Sequence, residues 1–336
     1  MSQKPLLTVA IPTYNGSKTI RTMLDILLPQ VTEDVEVIIS DNCSTDETPT
    51  IVKDYISRYP FIGYSRTENN IGADGNFLRC MRISNGKYVM LLSDDDVLIE
   101  GSMTKIIKFL KHNDVELAYL ETISFHSGYS GVDSCEKMPG VCDGDYSNLV
   151  TDDKKLFFSY IGRNWGFTSS FICKTDRVKS IANPEQYFGT FWMQSYIHIL
   201  CSDKDDDKLG IIAGPCVAAG NYGILGNYDP YKVEVIEFKR MLDFAIDTAG
   251  YDKDQLTESW VWKVCFLLSR STIKQRSIGV ELSSSKDVFN AMKNYPRAWL
   301  HLFPALILPN WACKAIMKTV NRVRKRSEEV HINRPT

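Results

Sequence analysis

The stretch Tyr88-Val89-Met90-Leu91-Leu92-Ser93-Asp94-Asp95-Asp96-Val97-Leu98 decides the fold. Five apolar or aromatic residues end in three adjacent carboxylates, and Asn85-Gly86 bounds the run upstream. A run this short and this apolar reads as a strand buried on both faces of a parallel sheet. The acids then stand just past its carboxyl end, the edge where open α/β sheets bind ligands. Three neighbouring carboxylates repel one another, so a proton or a cation is expected among them. A divalent cation, Mn²⁺ or Mg²⁺, suits this oxygen-rich set, and Mg²⁺ commonly shares its shell with substrate phosphates. The plainer reading is a solvated acidic turn ahead of the helix that begins near Ser102.

Upstream, apolar runs alternate with helical periodicity. Residues 6–11, 35–40, 61–66 and 88–92 read as strands. Between them lie three amphipathic stripes. The first carries Ile20, Met23, Leu24 and Leu27, with Ser17 as its N-cap and Pro29 as its stop. The second carries Ile51, Val52, Tyr55 and Ile56. The third begins near Asp74 and carries Phe77, Leu78 and Met81. The order β-α-β-α-β-α-β calls for an α/β fold with a mostly parallel sheet and right-handed crossovers. Downstream, the patterning predicts a helix through Met103, Ile106 and Leu110, a strand at 117–124, a long polar loop at 127–151 and a strand at 166–173. A helix at 191–201 and an apolar strand at 209–219 follow, and the period is helical from Val233 onward. The expected division is 1–225 for the sheet domain and 226–336 for a helical C-terminal region.

Three features fall just after strand ends: Pro12-Thr13-Tyr14-Asn15, Asp41-Asn42 and the acidic triplet. On one sheet edge they would meet in one crevice. Tyr14 offers a flat face for a base, Asp41 a carboxylate for base N–H or ribose hydroxyls, and the triplet a cation for a diphosphate. Taken singly, Asn15 is also a helix cap and Asp41-Asn42 also a turn. No phosphate-binding Gly-rich loop follows the first strand, which argues against P-loop and dinucleotide sites.

The 336 residues, 44% of them apolar and 24% charged, describe an ordinary globular chain. A net charge of −2 gives no footing for nucleic acid as a general partner. Nine scattered cysteines without a C-x-x-C pair exclude zinc-site spacing and suit a reducing cytoplasm. The polar N-terminus meets a strand at once, so no signal peptide is expected.

Four segments carry a resemblance. They are Val9-Ala10-Ile11-Pro12-Thr13-Tyr14-Asn15, Ile38-Ile39-Ser40-Asp41-Asn42-Cys43-Ser44-Thr45-Asp46, Asn69-Asn70-Ile71-Gly72-Ala73-Asp74-Gly75-Asn76, and Gly86-Lys87 running into the acidic triplet. In this order they resemble glycosyltransferase family 2, of GT-A fold, strongly over residues 5–115 and loosely over 160–200. The resemblance implies transfer of a sugar from a nucleotide-sugar donor to a glycan acceptor hydroxyl, with inversion. The style of the motifs is that of bacterial enzymes building surface polysaccharides such as O-antigen or capsule. It implies nucleotide-binding roles for Pro12, Tyr14, Asn15, Asp41, Asn42, Asn76 and Asp94, metal ligation by Asp94 and Asp96, and a catalytic part for Asp95. The family's base belongs to a Glu-Asp pair shortly after the strand expected at 166–173. Here Thr190-Phe191 stands where those acids would be, so Glu185 just upstream is the candidate base and His198 the second. A non-catalytic sugar-binding relative and a sugar nucleotidyltransferase are the competing readings.

At the C-terminal end, Trp299, Leu300, Leu302, Phe303, Leu306, Ile307, Leu308 and Trp311 form an apolar stretch broken by Pro304 and Pro309. Lys314, Lys318, Arg322, Arg324, Lys325 and Arg326 follow with no acid among residues 312–326. Tryptophans beside a broken apolar run and a basic helix fit contact of 296–326 with an anionic membrane. The expectation is a peripheral protein on the cytoplasmic face of the cell membrane, acting on an acceptor that can be lipid-linked.

Overall fold

The computed structural model describes residues 4–125, 129–131, 135–137, 147–162, 164–220, 229–279 and 285–332. The chain packs as two compact units: Met1–Leu225 with Asp243–Lys253, and Gly226–Leu242 with Asp254–Thr336. Residues 243–253 pack with the first unit, where the Tyr251 ring lies 4.6 Å from that of Trp165 and its hydroxyl 2.9 Å from Ser202 Oγ.

The first unit opens with β1 (Leu7–Thr13), α1 (Ile20–Leu27), β2 (Val35–Asp41), α2 (Thr48–Arg58), β3 (Ile62–Arg66), α3 (Gly72–Ile83) and β4 (Tyr88–Leu91). It continues with β5 (Val97–Leu98), α4 (Ser102–His112), β6 (Leu117–Phe125), β7 (Glu136–Lys137), β8 (Leu149–Thr151) and α5 (Lys154–Ile161). The last elements are β9 (Phe171–Lys174), α6 (Thr175–Ser180), α7 (Met193–Leu200) and β10 (Leu209–Gly220). The strands form one sheet in the order β3-β2-β1-β4-β9-β6-β10-β5, with β7 and β8 pairing off β6 and β10.

The expected parallel pattern holds from β3 to β4, where each neighbour is parallel. Beyond β4 the sheet is mixed, because β9 enters antiparallel to both β4 and β6. All seven residues of β1 are buried, as a strand covered on both faces requires. Ile20, Met23, Leu24 and Leu27 of α1 cover one face, and Ile106, Ile107 and Leu110 of α4 belong to the same core.

Several boundaries differ from the sequence reading. Strand β1 runs through Pro12 to Thr13, since the ring's fixed φ suits an extended chain and the register continues on either side. Ser17 does not cap α1. The helix starts at Ile20 with no side-chain cap, and the Ser17 amide donates to Asp46 Oδ2 at 3.1 Å. Helix α3 starts at Gly72, whose φ of 79° suits glycine, so Asp74 sits inside its first turn. Of residues 166–173, only Phe171 onward is strand. Thr168–Ser170 is a 3₁₀ turn in which the Ser170 hydroxyl donates to the Phe167 carbonyl at 2.8 Å. The two-residue strand β5, absent from the sequence reading, pairs Val97 and Leu98 with Ala218 and Val217. Most of the loop read at 127–151 lies outside the described residues.

The second unit is helical. A π-helical turn at Lys232–Glu237 leads into α8 (Phe238–Ala249), whose residues through Leu242 belong to this unit and whose residues from Asp243 belong to the first. Then come α9 (Lys253–Trp262), a second π turn at Lys263–Leu268, α10 (Ser269–Ser277), α11 (Ser285–Met292), α12 (Pro296–Leu300), α13 (Leu302–Ile307) and α14 (Asn310–Ile332). Trp260 is buried edge-to-face against Tyr295 at 5.4 Å. Among the described residues, no single helix is long and apolar enough to cross a membrane.

Gly86 tests the packing of the central strands. A Cβ there would fall 2.6 Å from the Thr8 backbone nitrogen and 2.8 Å from the Leu7 carbonyl carbon, both fixed by pairing. Gly86→Ala is expected to cost about 1–3 kcal/mol, as other forced overpackings do. Urea unfolding that leaves the midpoint unchanged would show that β1 and β4 can part at this end.

Candidate functional site

The parallel register decides what meets at the carboxyl edge. Thr13 at the end of β1 stands opposite Asp41 at the end of β2, and Asp41 stands opposite Arg66 at the end of β3. On the other side, Leu92 N–H donates to the Ala10 carbonyl at 3.0 Å, which delivers the acidic triplet beside the β1 loop. The Thr13 hydroxyl donates to Asp94 Oδ2. The same oxygen would lie 2.0 Å from a Cβ at Gly16, so any side chain there would push the carboxylate away.

The nucleotide-site candidates form a bonded frame. Asn15 holds a positive φ of 55°. Its N–H donates to Ser44 Oγ at 2.9 Å and its Oδ1 accepts from Thr45 N–H at 2.8 Å. It therefore latches the β1 loop to the β2 loop instead of capping a helix. Asp41 is fully buried: Oδ1 accepts from Ser44 N–H at 2.8 Å and Oδ2 from the Tyr64 hydroxyl at 2.7 Å, with Arg66 Nε at 3.4 Å. Burial and this bond to Asp41 push the Tyr64 phenol well up. Asn42 pins the turn before α3, donating to Asn70 Oδ1 at 2.9 Å and the Gly72 carbonyl at 3.0 Å while accepting from Ile71 N–H at 2.8 Å. Asn76 is buried and both ends of its amide engage Ser40, at 2.6 and 2.9 Å, so it fastens α3 to β2. Pro12 is buried within β1, whereas the Tyr14 ring is 48% exposed and stands open to a ligand.

The triplet splits in direction. Asp96 is buried, with Oδ2 accepting from the Ser169 hydroxyl at 2.6 Å and Oδ1 from Gly220 N–H at 2.9 Å. Ser169 Oγ also accepts from Ser93 N–H at 3.0 Å. Asp95 makes no side-chain hydrogen bond to another described residue. Burial pushes Asp94 up to about 7, against the pull of the Thr13 bond and with the charge of Asp95 adding to it. Burial and the charge of Asp95 push Asp96 up to about 8. Burial also raises Asp46, but bonds from Thr48 and Ser17 outweigh it and hold that acid at about 2.

Among the described residues, no three His, Cys, Asp or Glu side chains converge as a preformed metal cage. Asp94 and Asp96 are nonetheless raised carboxylates on which the principal charge acting is another acid's. That donor set fits a divalent ion held by one or two carboxylates and completed by water and diphosphate oxygens.

The base candidates fare differently. Glu185 lies in a 3₁₀ turn, half-exposed, with Arg82 Nη2 2.7 Å from its Oε1. Its own backbone amide and Arg82 hold its carboxyl below the usual range. His198 is buried in α7 with its ring 4.4 Å from that of Phe171 and no partner for Nδ1, which makes it a core residue. Asp74 was not among the sequence candidates. It accepts from Gly189 N–H at 2.7 Å, which ties α3 to the segment after Glu185, and burial raises its pKa. Ser169 and Gly220 were missed too. They lie 73 and 124 positions from Asp96, and nothing local marks them.

Residues 8–174 match the profile described as glycosyl transferase family 2. This chain belongs to that family. It is 29% identical over 234 residues to abequosyltransferase RfbV of Salmonella typhimurium, covering 63% of this chain and 66% of that protein. Across the curated relatives it matches, the chain spans from a third to two thirds of their length. The fold is shared with S. aureus TarS residues 1–349 in complex with UDP. The TM-score is 0.59 at 19% identity, over 85% of this chain and 78% of that one. It is also shared with the mannosyltransferase PcManGT of Pyrobaculum calidifontis in complex with GDP-Man and Mn²⁺. There the TM-score is 0.53 at 14% identity, over 91% and 86%.

The raised acids make the site's effect on stability depend on pH. Their folded pKa values lie above the unfolded ones, so the stability they contribute is full below about pH 4. It is lost as pH rises through about 7 and 8. In EDTA, the melting temperature of the wild type is expected to fall between pH 6 and 8.5, and Asp94→Asn should flatten that fall. Parallel profiles for the two proteins would show that Asp94 is not the titrating group.

Proposed function

We propose that the protein transfers a sugar from a nucleoside-diphosphate donor to a glycan acceptor hydroxyl, with inversion, in the assembly of a bacterial surface polysaccharide. The observation that carries this reading is the bonded edge of β1, β2 and β4, where Thr13, Asp41 and the acidic triplet form one group. The names of the relatives support the donor class: TarS was solved with UDP and with UDP-GlcNAc, and PcManGT with GDP-Man.

In this reading the exposed ring of Tyr14 stacks on the base. Asp41 acts through its frame: it holds the Ser44 loop and Tyr64 so that the nucleoside meets a fixed surface. Asp94 and Asp96 are the ligands for a divalent ion, with Asp95 beside them at the reacting sugar. A bound cation offsets charge developing on the departing diphosphate. The acceptor hydroxyl needs a carboxylate to take its proton. Glu185 is the acid nearest the family's base segment in sequence, but its bond to Arg82 weakens it as a base. Asp74, raised by burial and bonded to the same segment, is the stronger proton acceptor of the two. The protein acts at the cytoplasmic face of the membrane, on a lipid-linked acceptor.

Three measurements test this reading. Asp96→Asn is expected to abolish donor turnover at close to the native melting temperature, since its amide can still bond Ser169 and Gly220, which Asp96→Ala would leave unpaired. A fully active variant, or wild-type turnover undiminished in EDTA, would remove the metal from the mechanism. Asp41→Ala should weaken nucleoside-diphosphate binding by roughly 1.5–3 kcal/mol through loss of the frame, and calorimetry reads this directly. For the base, Asp74→Asn and Glu185→Gln are compared. The residue in that role lowers turnover about 10²–10⁴-fold with donor affinity kept, and normal turnover in both variants would discard both.

A further inference from the structure

The second unit carries apolar side chains that its own core does not use. Leu300 is 73% exposed, Ile307 80% and Trp311 74%. They lie on α12, α13 and the start of α14, while Leu302, Phe303, Ala305 and Cys313 of the same segment are buried. The segment therefore has an inner face that packs and an outer face that does not. Large apolar side chains clustered at the surface mark an interaction site more often than chance exposure does.

The geometry selects the partner. Leu308 is extended ahead of Pro309, so the helix breaks there, and the two arms Pro296–Ile307 and Asn310–Val320 meet at 110°. The apolar part of each arm rises only about 16–18 Å, short of a ~30 Å hydrocarbon core, and α14 runs on beyond it through Lys318 and Arg322. The bend places Leu300 and Ile307 on one arm and Trp311 at the root of the other. Along α14, Trp311, Lys314, Lys318 and Arg322 recur at spacings of three and four, so one helix face carries an aromatic anchor followed by three cations. All three cations are exposed. The side chains of Arg324, Lys325 and Arg326 lie outside the described residues. The Trp299 indole N–H is already satisfied by the Lys293 carbonyl at 2.9 Å, so that ring can enter an apolar phase without stranding a donor.

We propose that the bent α12–α13/α14 pair is a one-leaflet wedge: Leu300, Ile307 and Trp311 enter the acyl region of an anionic bilayer, and Lys314, Lys318 and Arg322 lie among its phosphates. The wedge deepens the peripheral membrane placement in the proposed function and rests on that reading. We take it as a wedge and not a straight span because the two apolar parts are each too short and meet at 110°, with the cations following on the second. The complementarity of charge assigns the face to anionic lipid, since a second copy would bring the same three cations against themselves.

The test is flotation of the full-length protein with phosphatidylcholine vesicles, with and without phosphatidylglycerol as the anionic lipid. The wild type should float with the anionic vesicles and far less with neutral ones. Lys314→Ala/Lys318→Ala/Arg322→Ala should bind anionic vesicles on the order of 100-fold more weakly, at roughly five-fold per charge. Leu300→Ser/Ile307→Ser/Trp311→Ser should lose flotation on both. These side chains are exposed, so melting profiles should match the wild type, and Trp299, which packs on Phe303, is left intact. Brominated acyl chains should quench a component of wild-type tryptophan fluorescence that Trp311→Phe lacks. Flotation unchanged in both triple variants, no quenching, or a lipid-independent dimer that the serine variant dissolves would each overturn the wedge. The thermal response to UDP or GDP with Mn²⁺, read on the same samples, separates the two readings. Nucleotide binding without flotation sinks the wedge alone, and flotation without nucleotide binding sinks the transferase reading alone.

Discussion

The burial of Asp96 is the constraint on which the site depends. A carboxylate at 3% exposure must be matched by donors, and its two come from Ser169 and Gly220. One lies in the turn before β9 and the other at the end of β10. A single side chain after β4 therefore fixes where two later strands sit against the parallel half of the sheet. Ser169 extends the tie by accepting from Ser93 N–H, so the backbone entering the triplet is held by the group that binds its last acid.

The neighbouring acid is held from the opposite side. Asp94 leans on Thr13, into space that only a glycine at position 16 leaves open. The β1 loop is in turn latched to the β2 loop through Asn15, and the β2 loop to the turn before α3 through Asn42. This chain of side-chain-to-backbone bonds makes a rigid rim from segments with no regular structure of their own. Two raised carboxylates within that rim burden the fold at neutral pH. Such a burden is characteristic of ligand sites, where charge is held in readiness for a partner of opposite sign.

The second unit is built on another principle. Its helices bury Trp260, Val264, Met292 and Leu302, but the outer side of the bent pair leaves an apolar ridge and a cationic stripe together in solvent. In the proposed wedge, an anionic membrane interface would engage both halves of that pairing.

By itself the sequence determined the parallel half of the sheet and the place of the acids. Largely apolar runs of strand length, alternating with amphipathic stripes, admit little besides βα crossovers, and register then carries Thr13, Asp41 and Asp94 to one edge. The family motifs sharpened this because they are local: each lies within a dozen residues. Only the tertiary structure decided that Asn42, Asn76 and Asp41 spend their polar groups on the frame, and that Glu185 is paired with Arg82 while Asp74 faces Gly189. It also decided that β9 runs antiparallel and that Ser169 and Gly220 complete Asp96. These contacts join residues far apart in the chain, and no local periodicity encodes a partner across that separation. Which side of the α12–α14 segment is covered was likewise undecided by composition, because an apolar residue reads the same whether it packs inward or stands in water.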